Sequence, residues 1–228
     1  MCGRYTVTTL DQVVAELDSS LPEGFVFEPR YNAAPTQELP VVANREERQV
    51  ELMRWGLIPA WADSPAIGNK MINARAESLA SKPAFRDAFA RRRCLVPADG
   101  FYEWKKEGKQ RVPHYYHRTD GRPFCFAGLW DRWRQPGSVW VISFTIITTD
   151  PNPLLAPIHD RMPVIVAPDD YARWLSPEPL PPEALEDILV PSPANSCEIY
   201  PVSRRVSSPA PDDPQLIERE LPVQTSLF

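Results

Sequence analysis

An α+β fold built largely from antiparallel sheet is what this sequence predicts, on three observations. β-Branched and aromatic runs outnumber amphipathic helical stretches. These runs lie mostly in series, separated by turn residues, instead of alternating with helices as a parallel sheet requires. The chain also holds 27 prolines in 228 residues, roughly twice what average usage near ~5% would give, which favours loops and short strands over long helices.

Taken in order, residues 8–17 (TTLDQVVAEL) read as a short amphipathic helix opening on Thr or Asp. A loop containing Pro and Asn follows at 29–35, then a strand at 50–55 and a turn-rich loop at 56–62. Residues 84–92 predict a second helix with an arginine-rich end, and 94–104 an apolar strand bent at Gly100. Three β-branched or aromatic runs, 112–118, 122–130 and 138–148, predict strands, and 163–167 another short one. Residues 168–175 and 181–189 open on proline and acids and predict two short helices. A late strand is expected at 197–206. No internal repeat is present. The organisation expected is one domain over 1–209 and a flexible, polar, proline-rich tail over 210–228.

Bulk composition excludes several classes. Hydrophobic content of 43% and charged content of 24% are ordinary for a soluble globular protein. No run approaches the ~18–20 apolar residues of a membrane span, and no basic segment followed by an apolar stretch opens the chain. The four cysteines (Cys2, Cys94, Cys125, Cys197) are far apart and form no CxxC, so neither a disulfide framework nor a zinc site is expected, and a reducing cytoplasm fits. His114 and His117 sit three apart in a strand-like run and point to opposite faces, which disfavours a metal. No metal and no cofactor are expected. The net charge of −5 argues against indiscriminate nucleic-acid binding, but it is uneven. Residues 168–228 hold 4 basic and 11 acidic side chains, leaving 1–167 with a balance of +2 that supports a local cationic groove.

The second residue is a cysteine. Removal of Met1 would leave Cys2 at the terminus, with an α-amine and a thiol on adjacent carbons. The amine titrates near ~8 and the thiol near ~8.5, so both reach a nucleophilic form near neutral pH. An aldehyde meeting this pair forms a Schiff base with the amine, and the thiol then closes a five-membered thiazolidine.

Six segments carry a family resemblance: Met1-Cys2-Gly3-Arg4-Tyr5, Tyr31-Asn32-Ala33-Ala34-Pro35, Arg54-Trp55-Gly56-Leu57-Ile58-Pro59, Asn73-Ala74-Arg75-Ala76-Glu77, Cys94-Leu95-Val96-Pro97 with Gly100-Phe101-Tyr102-Glu103-Trp104, and His159-Asp160-Arg161-Met162-Pro163-Val164. In this order and spacing the chain resembles the SRAP family of abasic-site processing proteins, once called SOS-response-associated peptidases, over residues 2–209. The resemblance implies a barrel-like core with a few short flanking helices. It also implies a DNA-damage role: covalent capture of abasic sites in single-stranded DNA through a Cys2 thiazolidine, shielding the lesion during replication, with cross-link reversal and abasic lyase activity as companions.

By position, Cys2 resembles the family's nucleophile and Asn73 the amide that contacts the opened sugar and places Cys2. Glu103 resembles the acid/base of ring opening and reversal, and His159 the proton donor at the Schiff-base stage. The family's late strand often ends in Val-Asn, whereas Val206 is followed here by Ser207.

Arginines interleave with tryptophans at Arg54-Trp55, Trp61, Arg75, Trp104 and Trp130-Asp131-Arg132-Trp133, a pairing suited to phosphates and unpaired bases. Arg4, Arg75 and Arg161 are the expected phosphate contacts because they flank the catalytic candidates, and Trp104 is expected to stack beside the lesion. Trp55, Trp130 and Trp140 suit a core equally well. The last five residues, Gln224 to Phe228, resemble the bacterial sliding-clamp binding pentapeptide, with Gln224, Leu227 and Phe228 as anchors. A cytoplasmic monomer, nucleoid-associated when bound to damaged DNA, is expected. Two other readings of the residues remain: a cysteine peptidase using Cys2 and His159, including self-removal of Met1, and a non-catalytic single-strand binding module.

Overall fold

The computed structural model describes residues 2–135 and 137–220. Gln224, Leu227 and Phe228 of the terminal pentapeptide lie outside the described residues. The strands in chain order are β1 (Tyr5–Val7), β2 (Arg30–Ala33), β3 (Glu38–Ala43), β4 (Val50–Trp55), β5 (Asn73–Arg75), β6 (Arg93–Ala98), β7 (Gly100–Glu107), β8 (Gln110–Arg118), β9 (Phe124–Trp133), β10 (Val141–Thr149), β11 (Met162–Pro163), β12 (Ile165–Val166) and β13 (Cys197–Pro201). The helices are α1 (Leu10–Glu16), α2 (Arg86–Arg91) and α3 (Tyr171–Trp174), with several single 3-10 turns between strands.

Two sheets organise the molecule. One is a five-stranded antiparallel sheet in the order β13-β8-β7-β1-β2. The other runs β10-β4-β3-β6-β9, and β9 pairs back onto β10 from Val141↔Trp133 to Ile146↔Gly128. That last pairing closes a five-stranded barrel, which leaves none of these strands with an open edge. β5 and β11 add to β10, and β12 adds to β9. Only β10 with β4 and β10 with β5 pair in parallel. The α+β, largely antiparallel expectation with a barrel-like core therefore holds.

Aromatic burial joins the two sheets. Tyr5 of β1 meets Trp55 of β4 edge-on at 5.2 Å and Phe126 of β9 at 5.7 Å between ring centroids. Phe101 of β7 stacks on Tyr116 of β8 at 4.7 Å and reaches Phe126 at 6.0 Å. β6 is buried on both faces, which explains its unbroken apolar run. A second core lies under the helices, where Leu10, Val13, Phe89 and Trp174 pack against the barrel. Arg93 is fully buried there and has no carboxylate partner among the described residues. It donates to the carbonyls of Trp174, Phe89, Ala90, Ser176 and Glu178, tying α2 and α3 to β6.

Several elements differ from expectation. The 29–35 loop contains β2, because β1 supplies the pairing its turn-like composition hides. β1, β3 and β5 are further strands the periodicity did not reveal; β1 and β5 have three residues each, too few to show a period of two. The 181–189 helix is two 3-10 turns, and the late strand ends at Pro201 with a 3-10 turn at Arg204–Ser207. The first part of the expected tail is packed. Asp212 accepts from the backbone N–H of Tyr31 (2.6 Å) and Asn32 (2.9 Å) and pairs with Arg30, while Leu216 is fully buried. Polar, proline-rich composition suggested a loose segment, but one carboxylate and one leucine anchor it.

Gly56, in the Arg54-Trp55-Gly56 segment, has φ +120° and lies so near Gly68 that a Cβ would meet its carbonyl oxygen at 2.6 Å. At Gly100 a Cβ would lie 2.4 Å from the Tyr115 ring, whose hydroxyl bonds Thr6 Oγ1 at 2.8 Å. Gly100→Ala must therefore displace the Tyr115 ring and strain its bond to Thr6. It is expected to cost about 1–3 kcal/mol in urea unfolding, and an unchanged midpoint would remove this constraint.

Candidate active site

β1 continues backward from Tyr5 into the core, so Cys2 is fully buried. The Tyr102 N–H donates to the Arg4 carbonyl at 3.0 Å, which extends the β1–β7 pairing toward the terminus. Asn73 opens β5, on the barrel side. Its segment is held by Trp55 Nε1 donating to the Ile72 carbonyl (2.9 Å) and by Ile146 N–H donating to the same oxygen (3.1 Å). Asn73 Nδ2 then donates to the Cys2 carbonyl at 2.8 Å. Asn73 Oδ1 is buried and accepts no hydrogen bond among the described residues, which leaves it for an incoming donor.

Glu103 comes from β7, beside β1, and is 2% exposed. Burial pushes its carboxyl up to about 7, and the charge of Asp160 acts in the same direction. His159 arrives from the segment between β10 and β11, with Nε2 3.8 Å from Glu103 Oε2. The Arg161 backbone N–H donates to His159 Nδ1 at 3.0 Å. The Arg161 carbonyl lies 3.2 Å from the same Nδ1, so this nitrogen accepts from the Arg161 N–H or donates to the Arg161 carbonyl according to the tautomer. Burial lowers the His159 pKa, opposed by Asp160, whose carboxylate lies 3.1 Å from Nδ1. The Cys2 thiol is raised far above its ordinary value, first by burial and then by the charge of Glu103. Its one short polar contact among the described residues is to the Arg4 carbonyl at 3.8 Å. An amide, a carboxyl poised near neutral pH and a neutral imidazole thus converge on one buried cysteine, a set suited to proton transfer around a nucleophilic addition.

Residues 1–209 match the family described as SOS response associated peptidase (SRAP). The chain belongs to this family. It is 43% identical over 223 residues to "Abasic site processing protein YoqW" of Bacillus subtilis, covering 96% of this chain and 99% of that one. To "Abasic site processing protein YedK" of Escherichia coli it is 31% identical, with 96% and 99% covered. A crystal structure of a Bacteroides thetaiotaomicron protein superposes with a TM-score of 0.85 at 28% identity, covering 96% of this chain and all of that one.

In this SRAP domain the expected DNA contacts fall into different settings. Arg75 is exposed, and its guanidinium makes no ion pair or hydrogen bond among the described residues. Arg4 turns inward and donates to Asn32 Oδ1 (2.8 Å) and to the carbonyls of Val206 (2.9 Å), Ser208 (3.2 Å) and Ser207 (3.4 Å). Arg161 is 8% exposed and is held by Glu77 (2.8 Å), Asp150 (3.0 Å) and the Thr148 carbonyl (2.7 Å). It clamps the turn after Asn73 to the segment bearing His159, a positioning task that sequence order did not disclose. Trp104 is partly buried and donates from Nε1 to Ser207 Oγ at 3.1 Å, so the serine after Val206 still supplies a polar partner. Asn32, fully buried and bonded to Arg4, Ser208 and Pro211, is a further hub that only its motif membership marked. No metal-binding cluster occurs among the described residues.

The buried Glu103 carboxyl has a stability signature. Its folded pKa of about 7 exceeds its ordinary value of 4.5. It therefore contributes stability that is full below about 4.5 and lost as pH rises through about 7, a swing of about 3 kcal/mol. Urea unfolding of wild type should weaken relative to Glu103→Gln between pH 5 and 8.5 by this order. Parallel pH profiles would contradict the burial of an ionisable acid here.

Proposed function

We propose that this protein processes abasic sites in single-stranded DNA by covalent capture. The reading is carried by the convergence of Asn73, Glu103 and His159 on Cys2. It is supported by relatives named abasic site processing proteins that match nearly the whole chain.

Once Met1 is removed, the Cys2 nitrogen becomes a primary amine. It attacks the aldehyde carbon of the ring-opened sugar, and the carbinolamine loses water to an imine. The Cys2 sulfur then adds to the imine carbon and its proton passes to nitrogen, so the net change is one water lost. Glu103, near half-protonation at neutral pH, gives and takes protons during ring opening, dehydration and reversal. His159 donates a proton at the Schiff-base stage. Asn73 holds the Cys2 carbonyl with its amide nitrogen and offers Oδ1 to a sugar hydroxyl. A thiol kept protonated by burial favours late addition to an imine over direct attack on a peptide bond, which demands a ready thiolate. In this reading the protein works in the cytoplasm as a monomer, reaching the nucleoid on damaged DNA, and an imine that does not close opens a β-elimination route.

Intact-mass spectrometry with an oligonucleotide carrying one abasic site tests the chemistry. Wild type lacking Met1 should gain the oligonucleotide mass less one water. Cys2→Ser, which keeps the amine, should give an adduct only when trapped with borohydride, and Cys2→Ala should give no stable thiazolidine. A stable, untrapped adduct in Cys2→Ala would overturn the proposal.

Arg75 is assigned a backbone phosphate. Arg75→Ala should weaken binding to single strands of any sequence and flatten the salt dependence by about 0.7 in log–log slope; an unchanged slope removes it. The terminal pentapeptide is assigned to the sliding clamp. Deleting residues 224–228 should abolish clamp pull-down, and retention of the clamp by the shortened chain would refute this.

A further inference from the structure

The tip of the β9–β10 hairpin carries a cationic and aromatic surface that the Cys2 site does not use. Arg132 lies on β9, Arg134 just beyond it, and Trp140 just before β10. The register Val141↔Trp133 sets Trp140 across from Arg134, with Arg132 diagonal to it on the same face. The Arg134 guanidinium lies 4.7 Å from the Trp140 ring centroid and the Arg132 guanidinium 5.3 Å. Neither arginine forms a salt bridge among the described residues. Asp131, the acid lining the same groove, is already engaged by Arg92 at 3.2 Å and by the Ala60 and Arg132 N–H groups. Two uncompensated positive charges remain on a protein of net charge −5.

A second exposed indole, Trp61, follows Ala60 of the groove lining. Ala60 N–H donates to Asp131 (3.1 Å), and the Ala62 carbonyl accepts from Trp133 Nε1 (2.6 Å). The loop is pinned on both sides of Trp61, which is 59% exposed, and Trp140 is 52% exposed. Between the arginines, Trp140 and Ala60 runs an open groove of about 660 Å³. A water-exposed indole under paired guanidiniums, with a second exposed indole on the neighbouring loop, matches a polyanion that presents planar rings.

We infer that this hairpin tip is a second binding surface for single-stranded nucleic acid, with Trp140 and Trp61 stacking on unpaired bases and Arg132 and Arg134 holding phosphates. It rests on the single-strand reading above and extends it. Asn73 pairs with Ile146 on β10, six residues beyond Trp140, so the two surfaces lie about 20 Å apart along the strand at ~3.4 Å per residue. The tip therefore engages only strands long enough to run from the lesion along the barrel wall. An acidic polypeptide would meet the two charges but has no rings for both indoles.

The test uses the full chain and single strands of about 4 and about 20 nucleotides, each carrying one non-reactive abasic analogue that anchors it at the Cys2 site, bracketing a typical single-strand site. Arg132→Gln/Arg134→Gln should lower affinity for the long strand about ten-fold and reduce its salt slope by about 1.4. Trp140→Ala should lower long-strand affinity about ten-fold. Short-strand affinity, and adduct yield on a short abasic oligonucleotide, should stay at the wild-type level. Unchanged long-strand affinity overturns the inference. So does an equal loss at both lengths, or a loss confined to poly-glutamate binding, which would mark a protein-docking face. Failure of wild type to form any adduct would refute the covalent reading while leaving this length dependence intact, so the two failures are distinguishable.

Discussion

The structure depends on carrying its N-terminal segment into the interior. β1 lies between β7 and β2, and Tyr5 fills the space between the open sheet and the barrel against Trp55 and Phe126. That wedge fixes Cys2 three residues upstream in a dry place. A chain end is ordinarily the least ordered part of a domain. Here Tyr5 and Arg4, which is bonded to Asn32 and to the carbonyls of residues 206–208, fasten it from two sides.

The electrostatics follow from this burial. Water excluded around Cys2 raises its thiol and the Glu103 carboxyl, and lowers His159. All three shifts favour neutral forms: the thiol and the carboxyl hold their protons, while the imidazole gives up its second one. The groups come from separate parts of the fold: Glu103 from the open sheet, Asn73 from a strand added to the barrel, and His159 from the segment between β10 and β11. Arg161 joins the last two by pairing with Glu77 and Asp150 while its backbone N–H and carbonyl both contact His159 Nδ1. The site is thus as rigid as the junction between the sheets.

Much of this was legible in the sequence. Continuous apolar runs announced β6, β9 and β10 because those strands are buried on both faces. Cys2, Asn73, Glu103 and His159 were legible through motif order, and Asn73 and His159 do lie against Cys2 and Glu103. The barrel closure was not readable, since the β9–β10 hairpin closes it only because β10 also pairs in parallel with β4, far earlier in the sequence. β2 was hidden between Pro29 and Pro35, and the packed segment after residue 209 was hidden in a tail-like composition that Asp212 and Leu216 override. The inward turn of Arg161 was likewise invisible, because an arginine two residues from His159 looks the same whether it faces phosphate or two carboxylates.

The central claim is that the α-amine and the thiol of Cys2 act together. Inserting one alanine between Met1 and Cys2, so that trimming leaves an alanine amine ahead of an intact Cys2 thiol, separates them most directly. With folding confirmed by urea unfolding, intact-mass spectrometry after incubation with a single-strand abasic oligonucleotide should show no adduct that survives without a reductant. A stable adduct at wild-type yield would contradict the account, because the thiol alone would then suffice and no thiazolidine would be involved.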